Sequence, residues 1–171
     1  ESSATIEKLV HEKVLHPTLA DIFRDEKDRS LLLYRHQVDA IKKGKERRSF
    51  VVTSGTGSGK SLTYLIPIFD AVASSNPGDP KVRAIIVYPM NALVNSQYDA
   101  LKRYADSYER KTGKSCPISF RRYTGQEKEE ERKQIQQNPP HILLTNYVML
   151  ELMLIRPEEH TFVDATTSGI Q

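Results

Sequence analysis

Residues 54–61 have the types and the spacing that bind phosphate. They are Ser54, Gly55, Thr56, Gly57, Ser58, Gly59, Lys60 and Ser61. The glycines permit a tight turn in which consecutive backbone N–H groups point at one anion, and a helix that begins directly after the loop adds positive potential. Lys60 is then placed to reach the β and γ phosphates of a nucleoside triphosphate, and the Ser61 hydroxyl to ligate Mg²⁺. The pattern predicts a phosphate-binding loop in which Lys60 and Ser61 do the chemistry.

The loop departs from the G-x-x-x-x-G-K-[ST] pattern at its first position, where Ser54 replaces glycine. A flexible glycine-serine linker would have a similar composition. The flanking residues favour the phosphate loop, because an apolar run at 50–52 precedes it as a short predicted strand and a predicted amphipathic helix follows it. Pro67 lies inside that helix, where it removes a backbone hydrogen bond, so we expect a kink there.

After this helix, apolar strands alternate with helices along the chain. We predict strands at 84–88, 118–123 and 142–144, and helices at 126–137 and at 147–155. A long helix is predicted after Pro89, and Gly113 closes it. This alternation requires right-handed crossovers and a parallel sheet with helices on both faces. The fold class is therefore α/β.

The residues before the predicted strand at 50–52 predict helices only. Two short amphipathic helices lie between Ala4 and Leu33, and a third begins at Arg35 and ends near Lys43. Gly44 follows it at the position that a C-terminal cap glycine prefers.

Composition limits the class of protein. The chain has 171 residues, 38% hydrophobic and 27% charged, which is typical of an ordinary globular domain. Its single cysteine, Cys116, excludes a disulfide scaffold, and no apolar run approaches the roughly 20 residues that span a bilayer. We therefore expect a cytoplasmic protein without a membrane partner. The net charge of +3 permits a nucleic-acid partner without requiring one.

Two groups of polar residues carry no predicted site. The five histidines and Cys116 lack metal-ligand spacing, so no metal site made of protein ligands alone is predicted. The charged run at 127–133 is interpreted as a solvated helix face with i,i+4 pairs of mixed sign.

Four further segments accompany the loop in a fixed order. Residues 34–37 (YRHQ) precede it, and 88–94 (YPMNALV), 123–125 (YTG) and 142–147 (ILLTNY) follow it. In this order the set resembles the first RecA-like domain of a superfamily 2 helicase of the DEAD/DEAH-box kind, from about Leu31 to Pro157. The residues of these segments are most similar to those of the large bacterial DEAD/DEAH helicases, which mostly act on DNA.

The resemblance implies an architecture. It is a three-layer, RecA-like P-loop NTPase domain, incomplete, over residues 34–171, preceded by a helical extension over 1–33. A small residue such as Ser54 is common at the first loop position of helicases.

The resemblance also implies roles for individual residues. Gln37 corresponds to the glutamine that selects adenine, so that ATP with Mg²⁺ is the expected cofactor. The implied nucleic-acid contacts are Pro89 and Asn91 in motif Ia, Thr124 and Gly125 in motif Ib, and Thr145 and Asn146 in motif Ic. Asn91 stands where DEAD-box proteins usually have arginine, so its contact would be a hydrogen bond rather than an ion pair.

One part of the family pattern is absent from the sequence. ATP hydrolysis in this class requires an apolar strand that ends in Asp-Glu. Residues 162–165 (FVDA) lack the apolar run and have Ala165 in place of the glutamate, so we interpret them as a connector. We expect the motif II strand and the second RecA-like domain in the remainder of the protein's own chain, with residues 169–171 at the threshold of that strand.

These expectations describe the N-terminal ATP-binding part of an ATP-dependent DNA helicase or translocase, with RNA as the second choice of substrate and no ATP hydrolysis by this part alone. Two alternatives stay open at this point. One is a P-loop NTPase or kinase that is not a helicase, and the other is a non-catalytic nucleic-acid-binding module.

Overall fold

The structure is a computed structural model that describes residues 2–55, 57–75 and 81–168. The chain divides into two compact units, one made of Glu1–Ser75 with Tyr104–Cys116 and the other of Asn76–Arg103 with Pro117–Gln171. The boundary after Leu33 between an extension and the main domain stays a prediction. Residues 169–171, expected at the start of a further strand, lie outside the described residues.

The first unit contains two short strands and four helices. β1 (Ser2–Thr5) pairs antiparallel with β2 (Leu32–Tyr34). The helices are α1 (Ile6–His11), α2 (Leu19–Ile22), α3 (Arg35–Lys45) and α4 (Leu62–Ser74). The helices confirm the pattern-based prediction, but the two strands were missed. In β2 only Leu33 is buried, and so short a segment has too little alternation to be recognised.

Gly44 does not cap α3, which corrects the sequence prediction. The helix continues to Lys45, and α4 runs through Pro67 as one helix. A Cβ atom on Gly44 would lie 2.8 Å from the Cβ atom of Pro67. The glycine is therefore explained by the close approach of α3 and α4 rather than by a turn.

Residues 50–52 do not form the predicted strand. In the part of the chain that the structure describes they have no ladder partner, and Val51 is 89% exposed. A strand is stable only when its backbone groups are paired, and an apolar run of three residues does not reveal whether a partner exists. The prediction of a strand before the loop was wrong for this reason.

The second unit is built on a parallel sheet of β3 (Ala84–Tyr88), β4 (Phe120–Tyr123) and β5 (Ile142–Asn146), in the order β3-β5-β4. Ile86 and Arg122 flank Leu144 in register. Every residue of the central strand β5 is buried, as expected for a parallel strand covered on both faces. The alternation of strands and helices in the sequence is thus confirmed, with β4 starting two residues later than predicted.

Helices cover both faces of this sheet. α5 (Asn91–Thr112) begins in the second unit, where Tyr98 packs edge-on against Phe120 at 5.4 Å between ring centroids. Phe120 and Tyr123 lie three positions apart in β4, so Tyr123 points to the opposite face. There it joins a core supplied by α6 (Glu129–Gln137), α7 (Tyr147–Ile155) and α8 (His160–Thr167). The predicted layered α/β architecture is confirmed.

The segment interpreted as a connector is part of α8. Phe162 is buried and its ring lies 5.6 Å from that of Tyr123. Phe162 and Thr166, one helical turn apart, are the buried residues of α8, and a single turn of burial is a weak signal in sequence. Among the described residues, no helix combines the length and the apolar character needed to cross a membrane.

Candidate functional site

The predicted phosphate loop leads into α4 in the first unit. Gly57 and Gly59 have φ angles of +79° and +71°, in the left-handed region that glycine adopts without strain. The Lys60 ammonium donates to the carbonyl oxygens of Ser54 and Gly55 at 2.8 and 2.7 Å, so the loop is wrapped around its own cation. Ser54 and Ser58 are hydrogen-bonded through their hydroxyls at 2.6 Å. Thr56, also assigned to this loop, lies outside the described residues.

The start of α4 places Ser61 at the mouth of the loop. Ser61 is the N-cap residue, and its carbonyl oxygen accepts from the N–H of Leu65. The helix has 13 residues, so its N-terminus directs positive potential at the loop, while the N–H groups of Leu62 and Thr63 donate to the carbonyls of Gly59 and Lys60. The Lys60 ammonium and this potential fit a phosphate, with Mg²⁺ on the Ser61 hydroxyl.

Gln37 bonds α3 to the phosphate loop. Its side chain is buried, accepts from the N–H of Tyr34 at 2.8 Å and donates to the carbonyl of Gly59 at 2.8 Å. A Cβ atom on Gly59 would lie 2.6 Å from the amide nitrogen of Gln37, so any side chain at that position displaces this contact. The role of Gln37 in adenine selection stays a prediction.

His36 is a second contact to the loop, and sequence reasoning assigned it no role. Its Nε2 atom lies 3.1 Å from the carbonyl oxygen of Ser58, and its ring stacks on Tyr34 at 5.9 Å with an interplanar angle of 9°. The sequence feature that could have indicated this contact is that His36 stands next to Gln37 at the start of α3, because both residues reach the same loop.

In the second unit, one amide joins the three predicted nucleic-acid segments. The side-chain nitrogen of Asn146 donates to the Asn91 side-chain oxygen at 2.5 Å and to the Thr124 carbonyl at 3.1 Å. The side-chain oxygen of Asn146 accepts from the N–H of Met149 at 2.6 Å and so caps α7. The ends of β4 and β5 and the start of α5 are therefore held together at one edge of the sheet.

The predicted contact residues differ in accessibility. Pro89 and Gly125 are exposed and Asn91 is half-buried. Thr124 and Asn146 are buried, and the fully buried Thr145 hydroxyl donates to the Tyr123 carbonyl at 2.5 Å. The groups that face outward at this edge are thus in residues 89–91 and in the 124–125 turn. A direct contact of any of them with nucleic acid stays a prediction.

Glu127 accepts hydrogen bonds from the N–H groups of the 124–125 turn. Its Oε2 atom accepts from the N–H groups of Thr124 and Gly125 at 2.7 and 3.0 Å, and Oε1 accepts from the Thr124 hydroxyl at 3.0 Å. Gly125 has a φ angle of +83°, which lets the two N–H groups converge. The interpretation of Glu127 as part of a solvated helix face was wrong, because α6 begins only at Glu129.

A sequence signal for this contact existed. Thr124 and Glu127 have the Thr-x-x-Glu spacing in which the two side chains and nearby N–H groups bond to one another. The rest of the charged run behaves as predicted: Glu129 and Lys133 pair at 2.7 Å. This hydrogen bond lowers the pKa of Glu129 and raises the pKa of Lys133.

A buried polar cluster holds Tyr123, the residue that precedes the 124–125 turn. The Tyr123 hydroxyl donates to the Glu159 carboxylate, at 2.9 and 2.8 Å from its two oxygens, and Gln136 donates to both residues. Burial raises the pKa of the Tyr123 phenol well above its usual value, and the hydrogen bond to Glu159 is the second largest cause of this increase. The phenol is therefore held protonated as a donor. Glu159 and Gln136 were not singled out in the sequence.

A cleft of about 370 Å³ lies beside β4 in the second unit. Arg121, Arg122 and Glu127 are among its lining residues. The Arg122 guanidinium donates to the Asn95 side chain at 2.7 Å and lies over the Tyr98 ring at 5.0 Å from its centroid. The cleft thus combines fixed positive charge with the carboxylate that occupies the 124–125 turn.

Comparison with known sequences identifies the family. The DEAD/DEAH box helicase family profile matches residues 34–167. The chain is 38% identical over 104 residues to the Druantia protein DruE of Escherichia coli, a match that covers 54% of this chain and 6% of that protein. It is 34% identical over 124 residues to an ATP-dependent helicase of Methanocaldococcus jannaschii, covering 72% of this chain and 17% of that protein. The chain therefore spans only a small part of the length of these relatives.

Comparison with solved structures supports the same fold. The DUF1998 helicase MrfA bound to DNA and AMPPNP matches with a TM-score of 0.75 at 23% identity, over 93% of this chain and 20% of that one. The DEAD-box helicase Mss116 bound to ssRNA and UDP-BeF matches with a TM-score of 0.76 at 17% identity, over 99% of this chain and 32% of that one. The family profile covers most of the chain, and the chain therefore belongs to the DEAD/DEAH box helicase family.

Proposed function

We propose that this chain is the ATP-binding part of an ATP-dependent helicase or translocase that acts on DNA. The observation that carries the proposal is the phosphate loop, in which Lys60 lies 2.7 to 2.8 Å from two carbonyl oxygens at the start of α4, in a chain of this family. RNA is the second choice of substrate.

Nucleotide binding requires an exchange of partners at Lys60. The ammonium leaves the carbonyl oxygens of Ser54 and Gly55 and donates to the β and γ phosphates, while backbone N–H groups of the loop surround the phosphates. Ser61 would hold Mg²⁺ through its hydroxyl, and the bound metal would neutralise phosphate charge. Gln37, already bonded to Gly59, relates the adenine position to the loop.

Nucleic-acid binding is assigned to the C-terminal edge of the sheet in the second unit. The N–H groups of Thr124 and Gly125 donate to one phosphate, and Pro89 and Asn91 contact the neighbouring sugar and phosphate. Thr145 and Asn146 act from inside the protein and hold these loops in position. Such contacts place a strand without reading its sequence. Among the structural neighbours, MrfA is bound to DNA and Mss116 to ssRNA, which supports a nucleic-acid partner.

The preference for DNA has a separate basis. It depends on the segments YPMNALV and LLTNYVMLE, whose wording resembles large bacterial helicases that act on DNA. The 171 residues contain no apolar strand that ends in Asp-Glu. We propose that the residue that polarises the attacking water, and the arginine of a second RecA-like domain, come from other residues of the full-length protein.

The test is the ATPase rate of the full-length protein with and without single-stranded DNA or RNA oligonucleotides. DNA should stimulate hydrolysis more than RNA does, and Lys60→Ala should reduce the rate about 10²–10³-fold, as expected when a phosphate-stabilising donor is removed. Lys43→Ala removes the same charge from an exposed position of α3 and should have little effect.

Each alternative has its own outcome. ATP hydrolysis that neither nucleic acid stimulates would favour an NTPase that is not a helicase. Nucleic-acid binding without any ATP binding would favour the non-catalytic module. Greater stimulation by RNA would overturn only the choice of substrate.

A further inference from the structure

We propose that Glu127 is an internal mimic of the nucleic-acid phosphate, which occupies the 124–125 turn and must leave it before a phosphate can bind there. The inference rests on the proposed function, because it assumes that this turn contacts nucleic acid. It adds a regulatory residue to that site.

The turn already has the geometry of an occupied anion site. Two consecutive N–H groups, those of Thr124 and Gly125, converge on one carboxylate oxygen at 2.7 and 3.0 Å. The left-handed conformation of Gly125, at φ +83°, directs its N–H toward the same point. This arrangement of successive N–H groups forms a concave site for a single anionic oxygen.

A carboxylate and a phosphate cannot share this site. Each N–H has one hydrogen, and both N–H groups already donate to Glu127. A phosphate oxygen placed beside the carboxylate would also meet a like charge at short distance, which is repulsive. Phosphate binding at the turn and the observed position of Glu127 are therefore mutually exclusive.

The cleft beside β4 offers the displaced side chain a second position. Glu127 lines this cleft of about 370 Å³ together with Arg121, Arg122 and a second carboxylate, Glu131, which accepts from the Lys128 N–H. Across residues 2–55, 57–75 and 81–168, neither arginine forms an ion pair. Arg122 is fixed by Asn95 and by the Tyr98 ring, so its charge stays at the wall of the cleft. A Glu127 side chain that leaves the turn finds a cation there, and this pairing offsets part of the hydrogen bonding it gives up.

The simpler role for Glu127 is to brace the turn in its binding conformation. The two roles predict opposite effects of a substitution. If Glu127 competes with phosphate, its neutralisation strengthens nucleic-acid binding. If Glu127 only braces the turn, its neutralisation weakens binding or leaves it unchanged.

The experiment measures the affinity of the full-length protein for a fluorescent single-stranded DNA oligonucleotide over a range of salt concentrations. Glu127→Gln should bind about 3–10-fold more tightly than the unsubstituted protein, and the slope of log K against log salt should stay nearly the same, because the turn binds phosphate with neutral N–H groups rather than with Lys or Arg. Glu127→Ala should change affinity in the same direction. Glu130→Gln is the matched control, because it removes one negative charge from an exposed residue nearby without touching the turn.

The outcomes separate this inference from the proposed function. Folded Glu127 variants that bind DNA equally or more weakly, or an equal gain in Glu130→Gln, would overturn the phosphate mimic and leave the proposed function intact. Failure of every variant to bind single-stranded DNA or RNA would overturn both. If the Glu127 variants bind single-stranded DNA and the unsubstituted protein does not, both the phosphate mimic and the nucleic-acid site are supported.

Discussion

The phosphate loop (54–61) and the strand-end segments (89–91, 124–125 and 145–146) contain similar kinds of residue, but different contacts keep these residues in place. In the loop, the side chains of Lys60, Gln37 and His36 bond to backbone carbonyls, Gly57 and Gly59 adopt left-handed conformations, and none of the described residues is buried. At the strand ends, buried side chains make the contacts, with Asn146 bonded to two other segments. The loop is thus built to exchange partners, whereas the strand ends are built to keep them.

This difference separates ligand binding from stability. A change in the loop should mainly affect nucleotide affinity, because few buried groups lose a partner. A change at the strand ends should mainly affect folding, because a buried donor or acceptor left without a partner costs about 1–3 kcal/mol. The three predictions that follow test this contrast, and the largest expected effect comes first.

Asn146→Ala should lower the free energy of unfolding by about 3 kcal/mol, because it removes a helix cap and leaves buried partners unpaired. ATP affinity should stay within about twofold of the original. Chemical denaturation measures the first quantity and nucleotide titration the second. Asn95→Ala is the control, since that asparagine is half-buried and its side chain bonds only to Arg122 among the described residues. A loss below 1 kcal/mol for Asn146→Ala would contradict the role of this amide as a structural joint.

Gly59→Ala should show the opposite pattern. A Cβ atom at this position would meet the Gln37 amide at 2.6 Å, and the φ angle of +71° strains any other residue. We expect about tenfold weaker ATP binding, equivalent to about 1.4 kcal/mol, with an unfolding free energy lowered by about 1 kcal/mol. Gly113→Ala has a similar φ angle of +69° without a neighbour within 4 Å, and it controls for backbone strain alone. Equal ATP affinities in the two variants would show that the Gln37 contact is unimportant for the loop.

Tyr123→Phe should have the smallest effect, about 1 kcal/mol at neutral pH, because Glu159 and Gln136 lose one shared partner. The effect should depend on pH. Since the pKa of the folded phenol is raised, its stabilisation is complete below the unfolded value of about 10 and is lost as the pH rises through the folded pKa. The unfolding free energy should fall above pH 10 by up to about 1.4 kcal/mol per unit.

The phenylalanine variant should lack this part of the decline. Tyr98→Phe keeps the ring that faces Arg122 and should retain it. Identical pH profiles for Tyr123→Phe and the original protein above pH 10 would contradict the proposed environment of Tyr123.

The sequence was most informative where a local pattern determines the structure. The three strands of the parallel sheet and helices α5 and α7 follow from apolar periodicity, and the phosphate loop follows from glycine and lysine spacing. Prediction failed in three places where a distant residue decides the local structure. Residues 50–52 lack a pairing strand among the described residues, β1 pairs with a strand as distant in sequence as Ser2 from Tyr34, and Gly44 is explained only by Pro67.

The candidate site divides in the same way. The segment order indicated which strand ends carry polar residues, but it did not indicate that Thr145 and Asn146 point into the protein. Glu127 was interpreted as a surface acid and Glu159 was not singled out, because the hydrogen bonds that define them come from residues of β4 and its following turn. Side-chain direction at a strand end depends on tertiary contacts that periodicity does not encode.

The bridging amide of Asn146 has a consequence for how such domains diversify. Because the Asn146 amide bonds to the first residue of α5, to the 124–125 turn and to the start of α7, these three segments cannot vary independently. A chimera that takes one of them from another helicase must bring a compatible partner at the other two. Recombination between relatives is therefore constrained at this single position more than the scattered locations of the segments in the sequence would suggest.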